Sequence, residues 1–198
     1  MEVKFKRLVG PELMVPAMRV TQGKDMYEAK MPSLETWYKM ILSEHSSHRA
    51  VIYRVYIEDI PFYNHVHLVR HSQGLTFSVY SQRDDEGIEE STPRDEIPQG
   101  TLINMFFDAN VQALINIARK RLCYKSHRTT QNFVKKLKMT LLYDGDQYDK
   151  LLGELLMKPC SWWAGYCQEP EPCGKVPGVK ALKDVHIDIL NGAGNDSK

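Results

Sequence analysis

The 198-residue chain has no surplus of either charge: 26 Lys and Arg stand against 25 Asp and Glu, a formal net charge of +1. That balance argues against a general DNA, RNA or membrane-surface binder, which needs a basic excess to meet phosphate. No apolar run approaches the roughly 18 residues that a membrane span requires. No internal repeat is visible, which sets solenoids and propellers aside. Cysteine is scarce, with four in all. The opening MEVKFKRLVG alternates like a strand and does not read as a secretory signal. The expectation is a cytosolic protein, cytoplasmic in localisation, whose cysteines are thiols or metal ligands before they are disulfides. What is present, 42% hydrophobic and 26% charged residues, is ordinary for a globular protein. The length suits one domain, 1–198, with a real core.

Val3 to Val9 alternates apolar and basic residues, which predicts a half-buried strand. Residues 10 to 32 hold three prolines and are expected to be irregular. Ser33 has the chemistry of an N-cap; Leu34, Trp37, Ile41 and Leu42 follow at helical spacing, and the helix should fail near Ser43 to Ser47. Arg49 to Ile57, RAVIYRVYI, is the clearest strand. Asp59 reads as the cap of a helix reaching about His71, with Pro61 in its first turn. Gly74 to Gln82 reads as the next strand, and Asp84 to Gly100, acidic and rich in Pro and Gly, as a surface loop. Thr101 to Cys123 is the longest helical pattern, on which Asn110, Leu114, Ile117 and Arg121 share one face. If that face is buried, its two polar ends need partners. Helices at about Thr129 to Leu142 and Asp146 to Met157 flank an Asp144-Gly145 turn. The tail, 158–198, carries Trp162, Trp163, three cysteines and four prolines, and is expected to stay irregular.

The stretch Leu68 to Arg83, LVRHSQGLTFSVYSQR, organises the rest. Two arginines bracket a turn and a strand, with Ser81 beside the second. Arg offers a planar fork of donors that fits phosphate oxygens two at a time, and Ser adds a neutral donor. The plain alternative is a strand edge with solvated charges.

In order and spacing these pieces resemble the flavin-dependent thymidylate synthases. Pro61 sits nine residues before Arg70-His71-Ser72, where the family signature reads Arg-His-Arg, and Ser81-Gln82-Arg83 matches its Ser-x-Arg. Arg94-Asp95-Glu96-Ile97-Pro98 is similar to the family's Arg-x-x-Leu-Pro segment. Asn110 follows that proline by twelve residues and Arg121 follows Asn110 by eleven, as in the family's Asn-to-Arg helix. The chain departs from the pattern at Ser72, in a spacer one residue longer, at Ser78 and Val79 where the family has Asn-Glu, and at Gln112 where it has Arg. The departures mark a divergent branch.

The resemblance implies an α+β fold, a central and mostly antiparallel sheet packed with helices. It implies a homotetramer whose active sites draw on several subunits. It also implies reductive methylation of dUMP to dTMP, with methylenetetrahydrofolate as carbon donor, FAD as hydride carrier and NADPH as reductant. Residue by residue, Ser81, Arg83 and Arg94 would hold the nucleotide phosphate, Gln82 between them would belong to the substrate site, and His67 would take the place of a nucleotide-contacting Gln. Arg121 would face the uracil, where a cation stabilises negative charge on the ring and makes C5 a better nucleophile. Arg70 would bridge nucleotide and flavin. His71, Ser72, Asn110 and Asn116 would lie along the flavin, with His48 matching a flavin-side histidine at a different spacing. Plain alternatives stand beside these roles. Arg121 could be a solvated member of the Arg119-Lys120-Arg121 cluster, and His71 a helix-terminal ring bonded to a carbonyl. Another C5 modification, such as hydroxymethylation, or a nucleotide-binding protein without the flavin are the alternative functions.

Two metal readings also arise. Cys123, Cys160, Cys167 and Cys173 could form a structural zinc site, with His127 able to replace one thiol. The spacings are not the C-x-x-C of zinc ribbons, and reduced thiols are the alternative. His67 and His71 are one helical turn apart but have no acidic partner in the pattern.

Overall fold

The structure, a computed structural model, describes residues 1–71, 73–79 and 96–177. Four strands, β1 (Glu2–Val9), β2 (Ile52–Pro61), β3 (Leu75–Val79) and β4 (Leu102–Asn110), form one antiparallel sheet of order β1-β2-β4-β3. The expected α+β class holds. Alternation places the strands: in β2, Tyr53, Val55 and Ile57 are buried while Tyr56 and Glu58 are exposed on the other face.

Among the described residues seven α-helices accompany the sheet: α1 (Met14–Val20), α2 (Leu34–Leu42), α3 (Phe62–Val69), α4 (Val111–Arg121), α5 (Arg128–Asp144), α6 (Gln147–Leu155) and α7 (Pro159–Trp162). The core runs between the sheet's buried face and α4, α5 and α6, where Tyr53, Phe107, Ile115, Phe133, Leu141 and Leu152 are fully buried. Each such side chain stabilises the fold by roughly 1.5–3 kcal/mol relative to exposure. Ser33 caps α2 as expected, accepting from Thr36 N, and Asp146 starts α6 through a reciprocal box with Asp149. Among the described residues no helix is long and apolar enough to cross a membrane.

Four expectations fail. Residues 101–123 are not one helix. Their first part is β4, whose alternation of exposed Leu102 and Asn104 with buried Ile103 and Met105 is a strand pattern. Pairing with β2 and β3 on both sides fixes it there. Asp59 caps nothing. It sits in β2 with φ 56, where the register to β4 shifts between Ile57 and Ile60. This bulge keeps both of those apolar side chains in the core and makes Pro61 the N-cap of α3. Within 10–32, Pro11–Leu13 forms a 3-10 turn and α1 follows. Pro16 is tolerated in α1 because a first-turn N–H has no intrahelical acceptor to lose. Of the tail, α7 is helical and Trp162 packs against the core.

Candidate functional site

The cleft forms where β4 turns into α4. Asn110 ends the strand and caps the helix, its Oδ1 accepting from Ala113 N at 2.9 Å. Its own N–H donates to Gly74 O at 3.1 Å, tying the start of β3 to the same junction. Gly74 has φ 75, and a Cβ there would lie 2.4 Å from Asn110 Nδ2. Glycine is required on both grounds, and it leaves the Asn110 amide uncovered.

Behind this junction lies a chain of polar contacts. His48 is completely buried, with Nε2 2.8 Å from Gln112 Oε1 and Nδ1 3.2 Å from Met40 O. Burial holds its pKa below the ordinary histidine value. Gln112 Nε2 donates to Glu44 Oε2 at 2.9 Å and to Asn116 Oδ1 at 3.2 Å. Glu44 in turn accepts from Arg119, whose guanidinium carbon sits 4.0 Å above the Trp162 ring. The relay fixes the Gln112 and Asn116 amides at a pocket of ≈ 270 Å³, also lined by Arg49, Gln73, Gly74 and Asn110.

The other end of α4 carries a different arrangement. Arg121 Nε donates to His71 Nε2 at 3.0 Å, and Nη2 donates to the His67 carbonyl in the last turn of α3. A cation at that helix C-terminus is favoured by the unsatisfied carbonyls. Burial, Arg121 and Lys120 together push His71 down to about 4, so the ring is a neutral acceptor. Burial and neighbouring Arg70 lower the Arg121 value, and burial, then Arg121 and Arg70, lower that of His67. His71 and Asn116 also border a second pocket of ≈ 380 Å³, walled by Arg119, Lys120, Cys123 and Trp163. Asn116 lines both pockets.

Solved structures share this architecture. Thymidylate Synthase X from Helicobacter pylori, solved with FAD and dUMP, matches with a TM-score of 0.62 at 15% identity, over 79% of this chain and 99% of that one. The fold is that of the flavin-dependent thymidylate synthases. A second Helicobacter pylori structure of that enzyme, complexed with FAD and dUMP, gives 0.60 at 15% identity, over 80% and 100% of the two chains. The UMP/dUMP methylase PolB from Streptomyces cacaoi, bound with 5-Br dUMP, gives 0.54 at 12% identity, over 77% and 95%. No protein-family model matches the chain, and no curated protein matches it by sequence.

Within this thymidylate-synthase fold, His67, Arg70, His71 and Arg121 gather at the C-terminal ends of α3 and α4. Asn110 and Asn116 share the smaller pocket. His48 does not reach it: with no exposed surface and its ring held between Gln112 and the Met40 carbonyl, it supports Gln112 from behind. Ser72, Ser81, Gln82, Arg83 and Arg94 lie outside the described residues. The four thiols do not assemble. Cys123 and Cys167 border the larger pocket, Cys173 is exposed, and all four are free. Among the described residues no group of three or more His, Cys, Asp or Glu could hold a metal ion, so zinc fits neither the cysteines nor the His67–His71 pair. Sequence reasoning missed Glu44, Gln73 and Arg119, and gave Gln112 no part in the pocket. Gln112, Asn116 and Arg119 stand at i, i+4 and i+7 on α4, a polar stripe visible once the helix starts after Asn110.

Proposed function

We propose that this chain binds a deoxyuridine nucleotide and modifies its uracil at C5, by reductive methylation of dUMP to dTMP. Methylenetetrahydrofolate would be the carbon donor, NADPH the reductant and FAD the hydride carrier, in a cytosolic homotetramer. The observation that carries this reading is Arg121. It is half-buried and bonded to two neutral acceptors, a histidine ring and a peptide carbonyl. Among the described residues no carboxylate meets it, so its positive charge remains available to a ligand. A fixed cation against the pyrimidine stabilises charge on the ring and raises the nucleophilicity of C5.

The donor set of the smaller pocket fits a flavin. The amides of Gln73, Asn110, Gln112 and Asn116 present mixed donors and acceptors, which suit the alternating N–H and C=O edge of a flat heterocycle. The bare backbone at Gly74 leaves room beside Asn110. Those amides would hold the ring, and a bound flavin would supply hydride. Arg70 would stand between nucleotide and flavin. Ser81, Arg83 and Arg94 would hold the 5′-phosphate by charge-assisted bonds. Arg83→Ala and Arg94→Ala should each weaken dUMP binding by about 2 kcal/mol, and wild-type affinity in both, by calorimetry, removes the phosphate assignment.

Release of tritium from C5-labelled dUMP tests the reading directly. Purified protein with a flavin absorbance band should release label and form dTMP. A colourless protein that binds dUMP without release would be a binding protein, and a different C5 product would keep the activation and change the carbon chemistry.

A further inference from the structure

Arginine has five N–H donors in one plane, arranged as a side-on fork (Nε and Nη2) and an end-on fork (Nη1 and Nη2). In Arg121 the side-on fork is taken: Nε meets His71 Nε2 and Nη2 meets the His67 carbonyl. Among the described residues Nη1 makes no hydrogen bond. The His71 backbone N–H donates to Leu68 O at 2.9 Å, which locks the residue to the end of α3. We infer that His71 is the positioning residue for Arg121: its neutral ring and the His67 carbonyl grip the side-on fork and leave the end-on fork for the pyrimidine. This rests on the reading of Arg121 as the group that meets the uracil.

The grip requires an unprotonated Nε2, hence the tautomer with its proton on Nδ1. A protonated ring would point N–H at N–H and place a second cation beside the first. The groups around it oppose that charge. Among the described residues Arg121 and Lys120 press on it from α4, Arg70 and His67 lie beside Arg121, and Arg119 (paired with Glu44), Cys123 and the carboxylate Glu169 line the same pocket. His71 is accordingly held down to about 4, well under its ordinary value. The grip is intact at neutral pH and is lost as pH falls through that value.

Nitrogen-15 NMR of labelled full-length protein reads the grip without any reaction. We expect His71 in the Nδ1–H tautomer at neutral pH and a slowly exchanging Arg121 Nε–H. That protection should vanish in His71→Ala and persist in His71→Gln, whose amide oxygen can accept the same bond. In tritium release from dUMP, His71→Ala should fall by roughly 10- to 100-fold in kcat with little change in KM. His71→Gln should recover at least part of that loss and lack the acid limb that His71 titration gives the wild type. An Nε2–H tautomer, or an Arg121 Nε–H unchanged in His71→Ala, overturns the inference even if Arg121→Lys is inactive. An intact grip with Arg121→Lys at the wild-type rate overturns instead the uracil reading on which the inference rests.

Discussion

Two half-buried arginines, Arg7 and Arg121, solve the same problem in opposite ways. Arg7, on β1, is matched twice: Nη2 bonds Asp146 Oδ2 at 2.6 Å and Nη1 bonds Asp149 Oδ1 at 2.8 Å. Tyr53 OH donates to the same Asp149 oxygen at 2.7 Å. The bond to Asp146 leads in raising the Arg7 value, against its partial burial. Arg121 is matched by no carboxylate among the described residues, and its value moves down. Arg54 with Asp108 and Arg119 with Glu44 follow the Arg7 pattern. A cation given its counter-ion by the fold is spent on the fold. One held only by neutral acceptors keeps its field for something that binds.

Breaking the first member of the pair gives the largest effect. Asp149 is only 7% exposed in its side chain, so Asp149→Ala strands the Tyr53 hydroxyl, leaves Arg7 with Asp146 alone and opens the capping box of α6. We expect a loss of about 3 kcal/mol in urea unfolding, with tritium release per folded molecule unchanged. Next comes the second member. Arg121→Lys should lose roughly two orders of magnitude in tritium release while stability moves by less than about 0.5 kcal/mol. If the two variants exchanged their signatures, the division between structural and functional arginines would fall. Smaller still is the cap at the head of the cleft. Asn110→Ala should destabilise by about 1 kcal/mol and Asn110→Ser by a few tenths, since a hydroxyl still accepts from Ala113 N.

Acid sharpens the contrast without mutation. The Arg7 bond holds Asp146 down to about 2, so its stabilising contribution is present above the ordinary Asp range and fades only as pH falls through that value. Burial pushes neighbouring Asp149 the other way despite its bonds to Tyr53 and Arg7, so its protonation on acidification relieves a desolvation penalty. His71, depressed to about 4, contributes its stability above the ordinary histidine range and loses it as pH falls through 4. A pH titration followed by NMR should therefore release Arg121 Nε–H before the Asp146 carboxyl protonates.

The family resemblance implied the antiparallel α+β architecture, and single elements were legible in the sequence because strand alternation and capping are local. Ser33, Asp146 and the runs at β1 and β2 announce themselves within a few residues. Arg70, His71, Asn110, Asn116 and Arg121 could be named from the sequence, and the fold brings them to the end of α3 and along α4, but their wiring could not be read there. Residues 102–110 carry apolar groups at both periods, and only pairing with β2 and β3 decides for the strand. With the helix start misplaced, Asn110 looked like a face residue when its side chain is a cap. His48 looked like a ligand contact because nothing local announces complete burial 64 residues away from its partner Gln112. The four cysteines showed the same weakness: shared type and neighbourhood in sequence do not make thiols converge.

The Arg7 network has a further consequence during synthesis. Arg7 meets Asp146 across 139 residues, while Lys136 bonds Met1 O and Thr140 bonds Val3 O. At roughly 5–20 residues per second, β1 waits on the order of ten seconds after emerging before α5 and the start of α6 exist to cover it. β2 can pair with it sooner, yet Val3 and the Arg7 guanidinium stay exposed until those helices dock. A sheet closed by contacts of such sequence separation folds slowly and leaves an unprotected edge in the meantime. The nascent chain is thus most vulnerable to association while its carboxylates are still unmade.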